Sequence, residues 1–120
     1  MFPEHVTISK VNSYSENTLL SHLDIKFIEI GSDFLIAKMP VNFKTTQPMG
    51  ILHGGASVAL AESIGSVGSN LLIDSKTEYA VGLSINANHI GSAKKKICNR
   101  KRNPYSHGEI NSYLEYRNNR

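Results

Sequence analysis

A single cysteine, Cys98, in 120 residues rules out an internal disulfide. No Cys/His grouping has the spacing of metal ligands, so neither a metal nor another bound cofactor is expected. Long apolar runs are missing as well. The first residues, "MFPEHVTISK", have neither the basic start nor the apolar block of a secretory signal, and no stretch reaches membrane-spanning length. The expectation is a soluble, cytoplasmic chain with no membrane partner. No serine stands in a G-x-S-x-G elbow, and no Lys-Ser/Thr step follows Gly54-Gly55, which sets aside a serine hydrolase elbow and a P-loop.

The length fits one domain with one core. A formal net charge of +3 hides an uneven distribution. Residues 1–93 carry five Lys/Arg against eight Asp/Glu, whereas residues 94–120 carry eight against two. A basic end of this kind is either a nucleic-acid arm or a solvated tail. It holds no folded recognition motif, so no nucleic-acid partner is expected.

Along the chain, "SENTLLSHL" (15–23) reads as a brief helix acting as a lid or packing element. "LDIKFIEIG" (23–31) and "DFLIAKMPV" (33–41) read as strands joined at Gly31-Ser32, the first alternating Ile25, Phe27 and Glu29 against Lys26, Ile28 and Ile30. Pro40, Pro48 and Gly50 mark a loop leading into "HGGASVALAESIGSVGSN". In a helix from Gly54 to about Leu72, the residues Leu60, Ile64, Val67 and Leu71 form the core stripe. Glu62, Ser66 and Ser69 share the opposite face with Val58 and Gly55. "YAVGLSINANHIGSA" (79–93) alternates Val81, Leu83 and Ile85 with Gly82, Ser84 and Asn86, as a strand with one buried face does.

The His53-Gly54-Gly55 step is where chemistry enters. First-turn N–H groups have no helical acceptor and the helix dipole is positive there, so two backbone donors at this step suit an oxygen gaining negative charge. Glycine lets a carbonyl approach the backbone; the plainer alternative is a glycine-rich helix start used for packing. Glu62 lies about 12 Å farther along the axis at 1.5 Å per residue. A glutamate opposite a core stripe is ordinarily solvated, but a lone acid among small residues also suits a cleft or an interface. His53 and Gln47, just before the helix, have the chemistry to polarise or orient a carbonyl.

The run "MPVNFKTTQPMGILHGGASVALAESIGSVGSNLLID", followed by "VGLSINANHIGSA", closely resembles the hotdog-fold acyl-CoA thioesterases of the PaaI-like group. Within it the nearest likeness is to the bacterial 1,4-dihydroxy-2-naphthoyl-CoA thioesterases of menaquinone biosynthesis and the enterobactin-pathway proofreading thioesterase. The likeness covers residues 10–93, and the stretch from Gln47 to Ser66 carries its specificity. It implies an α+β hotdog fold, an antiparallel sheet wrapped around a long central helix. It also implies a homodimer or dimer of dimers with sites at subunit interfaces, and an acyl-CoA substrate. By matching position, Glu62 would attack the thioester or activate water, and Gly54 N–H would polarise the carbonyl. Gln47 and His53 would position the thioester, Ser66 would assist on the Glu62 face, and His89 and Ser92 would approach the CoA portion.

After Ala93 the likeness stops. Residues 1–93 therefore read as the N-terminal part of a hotdog domain, and 94–120 as a basic tail without a strand pattern, leaving the sheet short of its last strands. Lys94–Lys96 imply an A-rich codon run prone to slippage. Permitted codons from Ile97 onward, read one base later, can spell a strand-like string with the Gly-Arg step the family uses, which makes a frameshift one origin for the tail. The functional alternative to a thioesterase is an inactive acyl-CoA-binding remnant that keeps Glu62.

Overall fold

The computed structural model describes residues 2–89 and 91, together with the backbone of 97–102 and 115–116. Ser92 and most of the basic tail lie outside the described residues. In chain order come α1 (Ile8–Ser13), α2 (Leu19–His22), β1 (Lys26–Ile30), β2 (Leu35–Pro40), α3 (Gly54–Asn70), β3 (Ile97–Arg102) and β4 (Glu115–Tyr116). The strands form an antiparallel sheet in the order β1-β2-β3-β4, and α3 lies against β2 and β3.

The sequence pattern accounts for the first two strands, with one departure. In β2, Leu35, Ala37 and Met39 are buried and alternate with half-covered neighbours, as period-two patterning requires. Ile25, just before β1, and Phe27 within it enter the core as expected, but the register with β2 shifts between Phe27 and Glu29. The extra residue, Ile28, is left exposed, and Ile30 packs against the core. A bulge of this kind reverses the faces beyond it, so the clean alternation expected for 25–30 ends at Phe27.

The brief helix expected over 15–23 is α2. It starts at Thr18, whose Oγ1 accepts from Leu20 N–H, with Ser21 Oγ accepting from Thr18 N–H in return. In α3, Leu60 and Ile64 are wholly buried, and Val67 and Leu71 pack at the core's margin. Small residues extend that buried face: Ser57, Ala61, Gly65 and Gly68. The Phe2 ring uses this space, lying against the helix at Gly68.

Two expectations fail here. Residues 79–89 form no ladder strand; Val81 is 75% and Leu83 99% exposed, so the side chains expected to face a core face outward. Conversely, Ile97–Arg102, inside the stretch that lacks a strand pattern, pairs along the whole of β2 from Pro40 to Leu35. Both follow from the same physics. A ladder is made by backbone N–H and C=O groups that every non-proline residue carries, so an open strand edge accepts an extended segment whatever its side-chain pattern.

Candidate active site

The loop before α3 is held from below by Thr45. Its side chain is buried, donating from Oγ1 to Pro40 C=O at 2.8 Å and accepting from Asn42 N–H at 3.0 Å. From this anchor the chain folds back on itself. Gln47 N–H donates to Ile51 C=O at 2.9 Å, and His53 N–H to Thr45 C=O at 2.8 Å. The reversal passes through Gly50 at φ 77°, a left-handed conformation that glycine adopts without steric cost. Gln47 Oε1 accepts from Met49 N–H, which leaves the side-chain NH2 group of Gln47 as a donor.

His53 is the N-cap of α3. Its Nδ1 accepts from Gly55 N–H at 2.8 Å. A nitrogen that accepts carries no proton, so this hydrogen bond assigns the ring proton to Nε2. The same bond corrects the expected pair of backbone donors. Gly55 N–H is spent on the cap, leaving Gly54 N–H, at the first helical position with no intrahelical acceptor. The glycines leave room for two imidazole rings. A Cβ at Gly55 would lie 2.9 Å from His53 Nδ1, and one at Gly54 2.9 Å from His89 Nε2. His89, 36 residues on, is therefore brought onto the helix start.

Glu62 is exposed on the outer face of α3, in a cleft of about 310 Å³ walled by Leu19 and Leu20 of α2 and by Ala59, Ser63, Ser66 and Val67. A larger hollow of about 610 Å³ continues past Ser66 and Val67 toward Asn70, Leu71, Tyr14 and His5. The larger one contains no part of Glu62. The smaller one holds the carboxylate and is the better place to look for chemistry, with the larger one as its extension along the same helix face. Gly82 lies against Glu62: a Cβ there would overlap Oε1 and stand 3.2 Å from Cδ.

The expected residues thus fall into two groups. Gln47, His53, Gly54 and His89 gather at the start of α3, whereas Glu62 sits about two turns along it and Ser66 one turn beyond Glu62. Leu19 and Leu20 belong to the helix expected to act as a lid or packing element, whereas Asn70 and the place of Gly82 beside Glu62 went unnoticed in the sequence; a lone glycine within an alternating stretch was the available signal, since it marks a close approach of backbone. Among the described residues, no three His, Cys, Asp or Glu side chains group as metal ligands.

Comparison with known proteins shows what the chain and its fold are similar to. The family model described as "Thioesterase superfamily" matches residues 49–96. The 1,4-dihydroxy-2-naphthoyl-CoA hydrolase of Escherichia coli is 50% identical over 90 residues, which make up 75% of this chain and 65% of that protein. The chain thus spans about two thirds of that relative's length. Among solved structures, a thioesterase from Haemophilus influenzae superposes with a TM-score of 0.82 at 38% identity, covering 90% of this chain and 75% of that one. A mutant thioesterase from Pseudomonas aeruginosa gives 0.82 at 36% identity, covering 85% and 73%.

Proposed function

Since this chain belongs to the thioesterase superfamily, whose hotdog fold it shares, we propose that it hydrolyses an acyl-CoA thioester to the free acid and CoA. The thioester carbonyl oxygen accepts from Gly54 N–H and from His53 Nε2–H, and the Gln47 amide orients the group. Glu62 then acts in one of two ways. As a nucleophile, a carboxylate oxygen attacks the carbonyl carbon and expels CoA as the thiolate; water opens the resulting mixed anhydride and releases the acid. As a general base, Glu62 takes a proton from water while the water oxygen attacks, and the thiolate leaves directly.

The observation that carries this reading is the separation of the two groups. An attacked carbon lies about 3 to 3.5 Å from its attacker, and its oxygen about 3 Å from the donors that polarise it. Glu62 and Gly54 of one chain are about 12 Å apart along the helix axis. One small thioester group does not reach both. Two chains paired about a two-fold axis that crosses α3 between these groups do, because a contact of Glu62 of one with Gly54 of the other then occurs twice. Exposed apolar side chains flank both groups, Phe43 and Met49 on the loop and Tyr79, Val81 and Leu83 on the 79–89 segment, and surface of that kind suits a second copy.

Mixing tests the shared site. Glu62→Gln and His53→Ala are each expected to be inactive alone, and together to regain about a quarter of wild-type turnover, because half of randomly exchanged pairs are mixed and each has one intact site. No recovery on subunit exchange would place both groups in one chain. A panel of acyl-CoA substrates reads the acyl preference. The exposure of Tyr79, Val81 and Leu83 also supports the second reading, an acyl-CoA-binding remnant, which predicts CoA-ester binding without hydrolysis. On either reading a frameshift is the proposed origin of 94–120, and the nucleotide sequence across the Lys94–Lys96 codons tests it.

A further inference from the structure

We infer that Asn70 and Gly82 position the Glu62 carboxylate: the Asn70 amide sets the register of residues 79–89 along α3, and Gly82 provides the space the carboxylate occupies. The inference rests on the reading of Glu62 as the reacting group. Asn70 is the last residue of α3. Its Oδ1 accepts from Ala80 N–H at 2.8 Å, and its Nδ2 donates to Ala80 C=O at 2.9 Å and to Ser66 C=O at 2.8 Å. A side-chain amide here engages both backbone groups of one residue, as a neighbouring strand would. Residues 79–89 have no ladder partner among the described residues, so this clamp supplies what a ladder ordinarily supplies, a fixed register.

Register matters because of what stands on either side of Gly82. Two residues beyond the clamp, the Gly82 backbone lies against Glu62, with no room for a Cβ beside Oε1. A slip by one residue would bring Val81 or Leu83 to that place, and either side chain would push the carboxylate away. The obstruction a Cβ meets is the far end of a flexible side chain rather than backbone. An added methyl group therefore displaces the carboxylate and leaves the fold nearly undisturbed, which separates positioning from stability.

The same chain supplies a matched control. Asn12 engages Phe27 in the same way, Oδ1 accepting from Phe27 N–H at 2.9 Å and Nδ2 donating to its C=O at 2.8 Å. Phe27 belongs to the core and takes no part in the Glu62 cleft. Loss of the Asn12 clamp should loosen the fold without moving the carboxylate.

The experiment compares Gly82→Ala, Asn70→Ala and Asn12→Ala with the wild-type chain, using benzoyl-CoA as the probe thioester and the 13C resonance of the Glu62 carboxyl as a second readout. In Gly82→Ala and Asn70→Ala, kcat is expected to fall about tenfold or more, as displacement of a reacting group by a fraction of an ångström to an ångström does. KM should hold, and the Glu62 resonance should move. Asn12→Ala should melt earlier with kcat and the resonance retained. Wild-type kcat and an unmoved resonance in Gly82→Ala and Asn70→Ala would overturn the inference, as would an equal loss of kcat in Asn12→Ala. If the wild-type chain leaves benzoyl-CoA intact, the resonance decides by itself: a shift in Gly82→Ala supports positioning, and none refutes it. If Asn70→Ala does not fold, Gly82→Ala decides.

Discussion

The two faces of α3 both carry small residues and use them for opposite work. On the inner face, Leu60 and Ile64 are wholly buried against the sheet, and the small residues Ser57, Ala61, Gly65 and Gly68 let neighbours come close enough to close the core. On the outer face, Gly55, Glu62, Ser66 and Ser69 are exposed or half-exposed, and small size there leaves a cleft beside α2 and room for the 79–89 segment. Small residues are thus a packing device on one side and a means of making space on the other. The difference lies in what they face: the core on the inner side, where the Phe2 ring lies at Gly68, and the Gly82 backbone and an open cleft on the outer side. Stability and chemistry should accordingly separate by face.

The largest expected effect tests the inner face. Leu60→Ala removes a wholly buried side chain and should cost about 2 to 5 kcal/mol of folding stability, read from denaturant unfolding. Turnover per folded molecule should stay near wild type. A cost below about 1 kcal/mol would show that the inner face is not where the fold is held.

Glu62→Gln tests the outer face. Loss of the carboxylate should lower kcat by about 10²-fold or more, while the melting temperature stays close to wild type because the side chain is exposed. A variant with near-normal kcat would return Glu62 to the role of a solvated surface residue. A variant that also melts early would break the separation of the faces.

The smallest effect concerns the ion pair between Lys44, on the loop leading to α3, and Asp24, before β1. The hydrogen bond from Lys44 holds the Asp24 carboxyl below its usual value. A carboxyl lowered in the folded state stabilises it above the unfolded pKa of about 3.9 and loses that contribution as pH falls through the lower folded value. Lys44→Met should therefore flatten the fall in unfolding midpoint across that acid window and leave neutral-pH turnover unchanged. Because the pair is open to solvent, the change should be small and should shrink further in salt. A large loss of activity would mean that the loop, not α3, sets the position of His53 and Gly54.

What could be read from the chain divides along physical lines. Helical periodicity is a local property, so the assignment of Leu60 and Ile64 to the core and Glu62 to the opposite face needed nothing beyond 3.6-residue spacing. The helix start at His53-Gly54-Gly55 was equally legible. Which N–H remains available was not, because that depends on the His53 rotamer that commits Gly55. In 79–89, alternation of residue type signalled an extended chain with two different sides and said nothing about which side meets a neighbour; the structure turns Tyr79, Val81 and Leu83 outward. The bulge at Ile28 escaped for a related reason, since two strands must be paired before an extra residue in one of them exists.

The sequence by itself determined the helix, its polarity and the first two strands, because these follow from local steric preference and periodicity; the thioester came from the family resemblance carried by Gln47 to Ser66. Tertiary structure alone decided that β2 takes 97–102 as its neighbour, that Asn70 holds Ala80, that Gly82 borders Glu62 and that His89 rests on Gly54. Each of these joins residues 10 to 67 positions apart. Contacts over that span are set by the packing of whole elements and by backbone groups seeking partners, neither of which is written in the order of neighbouring side chains.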